Sequence, residues 1–173
     1  GLSMSSSRIY NYESINNENL RGWYTGDGML YLYNDDLSQY DSTYWSAVDA
    51  YKLPGVTADV QERPAVSITL GKESYLSSKD FVGGVCLDNK YATAAMWLES
   101  FHSEGGTPTS LETGNWNGGG APKHDCTLEA QKSWFMFDDE VVALGAGIVS
   151  SDNVDVNTTV ENRKLNRNEK MMN

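Results

Sequence analysis

Residues able to do chemistry crowd one short stretch. Glu13, Asn16, Glu18, Asn19 and Trp23 all fall in NYESINNENLRGWYTGDGMLYLYN, which runs from Asn11 to Asn34. Carboxylates accept hydrogen bonds, and carboxamides both donate and accept them. An indole ring offers a flat apolar surface with one polar handle. Together these groups suit a polyhydroxylated ligand such as a sugar. Asp27 adds a further carboxylate to the same loop. Paired hydrolysis by Glu13 and Asp27 is one reading, but it requires two carboxyl groups facing each other at a defined separation. The same residue types also fill ordinary turns, because Asn and Asp side chains bond their own backbone. On that basis Glu18, Asn19, Trp23 and Asp27 read first as residues that hold the loop in shape, and Asn16 has an Asx-turn as its plain alternative.

The segments around this loop read as strands. Ser3 to Asn11 alternates loosely and leads into it, and Met29 to Tyr33 leaves it after a tight turn on Gly26, Asp27 and Gly28. Phe81 to Leu87 is strand-like, with Gly83-Gly84 predicting a bulge or a close backbone approach. Asp88-Asn89-Lys90 is a turn, and Tyr91 to Phe101 suits a buried strand or, through Ala94-Ala95-Met96, a helix. Ala130 to Phe137 and Glu140 to Val149 predict a hairpin around Asp138-Asp139, with Trp134 and Phe135 in the core. Ala65 to Leu70 and Val154 to Val160 are further strand candidates, and Tyr44 to Leu53 is a helical turn or irregular. Gly, Thr, Asn and Pro between His102 and His124 make a long surface loop, which holds Trp116. Many short strands without helical periodicity predict an all-β, antiparallel protein.

Charge and composition narrow the partners. The 24 acidic against 13 basic residues leave a net charge of −11, the wrong sign for a nucleic-acid binder. An apolar content of 39% fits a globular domain, and no run is long enough to form a membrane helix. The acidic stretch Asn34 to Asp41 reads as a solvated turn. Its oxygens could ligate a structural calcium, but the spacing is not that of an EF-hand. Cys86 and Cys126 lack a CxxC pattern and read as separate thiols, with one disulfide as the alternative.

Four segments, in order, resemble polysaccharide lyase family 8, the hyaluronate, chondroitin AC and xanthan lyases. They are the Asn11–Asn34 motif, Tyr44-Trp45 through VDAYKLPGVT ending at Thr57, DFVGGV from Asp80 to Val85, and AQKSWFMFDDE from Ala130 to Glu140. NYESIN and KSWFMFDDE look closest to xanthan lyases, whereas GWYTGDG looks more like hyaluronate lyases. The resemblance implies a super-sandwich of stacked antiparallel sheets, with residues 1–161 forming part of the central domain; residues 162–173, charged and polar at the end of the sequence, are expected to fray. It also implies an exported protein acting on an acidic polysaccharide (hyaluronan, chondroitin or xanthan) by β-elimination, without a required cofactor. In that family a Tyr, a His, an Asn and an Arg on a preceding helical domain perform the reaction. By motif position, Glu13 would hold that Arg in a bidentate pair, and Asn16 would contact substrate. Family members are several times longer, so the chain is expected to be one portion of a lyase that needs the helical domain as its partner and is inactive alone. His102 and His124 lie outside the motifs and read as surface residues. A non-catalytic glycan-binding module is the alternative.

Overall fold

The structure is a computed structural model that describes residues 2–6, 9–10, 21, 24–61, 75–76, 79–100 and 126–165. Its largest element is an antiparallel meander of β6 (Val82–Leu87), β7 (Tyr91–Glu99), β8 (Glu129–Met136) and β9 (Val141–Val149), in that order across the sheet. The β6–β7 turn uses positive φ at Asp88 and Asn89, the geometry that matches strand twist in a tight hairpin. Gly84 pairs with Ala94 across this pair of strands, and a Cβ there would sit 2.4 Å from the neighbouring Thr93 carbonyl oxygen. The register stays regular through both glycines. Of the two readings of Gly83-Gly84, close approach is therefore right and the bulge is not.

Three two-stranded pairs complete the described strands: β1 (Leu2–Ser6) with β3 (Asp27–Leu32), β2 (Ile9–Tyr10) with β5 (Tyr75–Leu76), and β4 (Thr57–Asp59) with β10 (Val156–Thr158). All are antiparallel, and among the described residues one short α-helix, α1, spans Tyr44–Ala47. The all-β expectation holds. Residues 91–99 form a strand, and the helical alternative for that segment fails. The candidate strand Ala65–Leu70 lies outside the described residues.

Alternation along the meander sorts its side chains onto two faces. Met96, Leu98, Ala130 and Trp134 point inward and form one core cluster, against which Leu30 of β3 packs. Tyr24, Met29, Tyr44, Leu53, Val56, Ala58, Cys126 and Leu128 form the second cluster. Phe135 is only half-buried, on the opposite face from Trp134, which corrects the expectation that both are core. That outer face carries Phe81, Val85, Leu87, Trp97, Val142 and Leu144, with Val85 66% and Leu144 53% exposed. Charges occur at its margins, where Lys79 pairs with Glu129 at 3.2 Å and Lys90 with Asp138 at 3.1 Å.

The beginning of the predicted frayed tail is held. Asn162 accepts at its carbonyl from the Tyr44 hydroxyl (3.1 Å), and its side chain donates to the Lys52 carbonyl (2.8 Å). Arg163 donates to Gln39 Oε1 at 2.7 Å and lies over the Tyr40 ring, and Lys164 donates to Asp41 Oδ2 at 2.5 Å. Residues 166–173 lie outside the described set. In the acidic stretch, Asp36 caps the 3-10 turn Leu37–Tyr40 through the Ser38 N–H (3.0 Å), and Asp41 Oδ1 accepts from the Thr43 N–H at 2.9 Å. These carboxylates are therefore engaged in local capping. Cys86 is exposed on β6 and Cys126 is buried, so no disulfide joins them.

Candidate functional site

Glu13, Asn16, Glu18, Asn19 and Trp23 lie outside the described residues. The structure does define the residues on either side of that stretch, which form its footing. On the far side, β2 is paired at Tyr10 with Tyr75 of β5. On the near side stands Tyr24, fully buried, whose hydroxyl donates to Asp59 Oδ1 at 3.4 Å and whose ring lies 6.4 Å from that of Tyr51. The turn that follows is closed by the Asp27 N–H donating to the Tyr24 carbonyl at 3.1 Å. Gly28 then takes φ +79°, and a Cβ there would lie 3.0 Å from both the Trp134 ring and the Met96 sulfur. Both backbone and space therefore require glycine.

Asp27 is 0% exposed and reaches Ser100 Oγ at 3.5 Å. Sealed in this way, it has no face to offer a ligand, which removes the hydrolase reading that paired it with Glu13. Beside it lies Lys132, only 6% exposed. The Lys132 ammonium donates to the Asp27 carbonyl at 3.2 Å and to the Gly55 carbonyl, and lies 5.5 Å from the Trp134 ring centre. Burial pulls its pKa down to about 8, against the opposing pull of the Asp27 carboxylate. Three of the sequence motifs thus converge on one ammonium: Asp27 from GWYTGDG, Gly55 from LPGVT, and Lys132 from QKSWFMFDDE. Sequence reasoning had not singled out Lys132. The available signal was its place between Ala130 and Trp134 on the inward side of an alternating strand.

Next to this footing is a cavity of about 550 Å³, whose lining includes Tyr51, Lys52, Asp59, Gln61, Asn157 and Thr159. Tyr24 touches two of these, Asp59 and Tyr51, so the cavity adjoins the first residues described after that stretch. Asp59, Cys126 and Asp152 each bring a ligating atom within 4.8 Å of the others, a set that could hold a metal ion. Protein donors already serve the carboxylates: Gln61 Nε2 to Asp59 at 3.0 Å, and the Thr127 N–H to Asp152 at 2.7 Å. Both histidines lie outside the described residues.

The family model described as "Polysaccharide lyase family 8, super-sandwich domain" matches residues 1–173. The chain belongs to polysaccharide lyase family 8. Among the curated family 8 relatives, it is 44% identical to the xanthan lyase of Bacillus sp. (strain GL1), over 96% of this chain but 14% of that protein. It is 40% identical to the hyaluronate lyase HylB of Enterococcus faecalis (strain ATCC 700802 / V583), over 96% of this chain and 15% of that one. The solved Paenibacillus xanthan lyase superposes with a TM-score of 0.68 at 44% identity, covering 96% of this chain and 13% of its own. The Streptomyces coelicolor A3 chondroitin AC lyase, solved with chondroitin sulphate, superposes at 0.69 with 35% identity, covering 98% of this chain and 20% of its own. The family 8 fold is thus shared along nearly all of this chain, which spans only a small part of each relative.

Proposed function

We propose that this chain is the β-sheet portion of a secreted polysaccharide lyase that cleaves uronate-containing acidic glycans by β-elimination. The observation that carries the reading is the match of all 173 residues to the super-sandwich domain of family 8. The similar proteins are named for xanthan, hyaluronate and chondroitin, all acidic polysaccharides. In elimination, a base takes the proton at C5 of the uronate, the C4–O bond breaks, and an unsaturated sugar remains. That proton is weakly acidic beside a carboxylate, so the reaction needs a positioned base and neutralisation of the adjacent charge. Those groups belong to a helical domain outside this chain. Glu13 acts through an arginine of that domain, and Asn16 meets the substrate. The Asp27–Lys132–Gly55 knot supports this role: it fixes the chain just after the stretch that holds Glu13 and Asn16, and a misplaced orienting group is costly to rate.

The test grafts residues 1–173 in place of the matching segment of the Bacillus xanthan lyase and follows ultraviolet absorbance of the unsaturated product. The graft is expected to be active. Glu13→Gln should lower kcat at least tenfold with less change in KM, because the lost contact orients the base and does not bind glycan. The chain without a helical domain should give no product from hyaluronan, chondroitin or xanthan. An active graft indifferent to Glu13→Gln would refute the assigned role, and saturated product ends would indicate hydrolysis.

A further inference from the structure

The cavity beside Tyr24 has a polar inventory that the elimination chemistry does not use. Its volume of about 550 Å³ lies within the range of small-molecule sites. One wall is the half-buried Tyr51 ring, and the Asn157 carboxamide stands exposed on β10 opposite Ala58. Gln61, whose amide nitrogen is anchored on Asp59 at 3.0 Å, keeps its carbonyl oxygen as an acceptor, and Thr159 adds a hydroxyl. These groups suit hydroxyls arrayed around a ring. The charges nearby cancel or are negative: the Lys52 ammonium pairs with Asp49 at 3.6 Å, and the Asp59 carboxylate lies in the wall. A ligand carboxylate would compete with Asp49 for the exposed Lys52 ammonium and would approach the Asp59 carboxyl group.

From this arrangement we infer that the cavity is a binding site for an uncharged pyranose unit, one that holds the neutral sugars of the polymer and rejects its uronates. Tyr51 stacks on the C–H face of the ring, and Asn157, Gln61 and Thr159 take its hydroxyls. Lys52 contributes a donor at the mouth without leaving an unbalanced charge. The link to the polymer rests on the lyase reading above, but the binding claim does not depend on turnover.

The experiment titrates the isotopically labelled 173-residue chain with cellobiose, and separately with glucuronic acid, while amide resonances are followed by NMR. Cellobiose should shift the amides of Tyr51, Lys52, Val60, Gln61 and Asn157. Asn157→Ala, at an exposed position that leaves the core intact, should weaken binding at least tenfold, and Tyr51→Ala should do the same. Glucuronic acid should bind at least tenfold more weakly than cellobiose. Failure of cellobiose to shift these amides, equal or tighter binding of glucuronic acid, or indifference to Asn157→Ala would each overturn the inference. An active graft with a silent cavity would sink this proposal alone, whereas an inactive graft with a responsive cavity would sink the lyase reading alone.

Discussion

Lys132→Met should abolish a rise in stability between pH 7 and pH 10 that the native protein shows. The Lys132 ammonium titrates near 8 in the folded chain and near its ordinary 10.5 when unfolded. Between those values the unfolded state binds more protons, so stability climbs with pH. At neutral pH, keeping the ammonium charged in its buried site costs about 3 kcal/mol, and about 2–3 kcal/mol of that is relieved by pH 10. The upper bound of the window is set by Tyr40 and Tyr44, whose hydroxyls are pushed above their usual range, mainly by burial. Above pH 10 the unfolded tyrosines ionise first and stability falls again. Methionine matches the length of the lysine stem but leaves the Asp27 and Gly55 carbonyls without that donor, at about 1–3 kcal/mol each at every pH. Urea melts followed by tryptophan fluorescence at pH 7, 8, 9 and 10 measure both proteins. The native curve should rise by about 2–3 kcal/mol relative to the variant. Parallel curves would refute the argument, because they would mean that the ammonium is as well solvated folded as unfolded.

Other outcomes follow from local geometry. Gly28→Ala forces a side chain into a left-handed backbone against Trp134 and should cost roughly 1–3 kcal/mol in the same urea melts. Trp134→Ala, which empties the centre of the inward face, should cost about 3–5 kcal/mol. A chromogenic thiol reagent should titrate Cys86 in the native protein and reach Cys126 only on unfolding. Asp41, whose pKa is lowered to about 2, chiefly by the Lys164 hydrogen bond, stabilises the fold above its ordinary carboxylate range. That contribution should fade between pH 4 and pH 2, and Asp41→Asn should remove this part of the acid dependence in circular-dichroism melts.

Much of the fold was legible because antiparallel hairpins write themselves locally. The alternation of β8, the Asp138-Asp139 turn and the apolar run of β9 sit together in sequence as they do in the sheet. Phe135 departs from the expected core because parity overrides bulk: a strand cannot turn neighbours Trp134 and Phe135 the same way. The hold on Asn162, Arg163 and Lys164 was invisible, since their partners Tyr44, Gln39 and Asp41 lie more than a hundred positions away. Lys132 escaped notice for a related reason: its ligands are backbone carbonyls, which no side-chain pattern advertises. Glu13 and Asn16 rest on motif position alone, and both lie outside the described residues.

The largely apolar outer face of the meander, charged only at its margins, sets the colloidal character of the molecule. Wetting apolar surface costs on the order of 25 cal/mol per Å², and that cost is recovered only when something settles against it. The net charge of −11 therefore keeps copies apart in bulk but says little about what happens on contact. Two lysines, at Val85 and Leu144, would make the same scaffold far less adhesive without touching its interior.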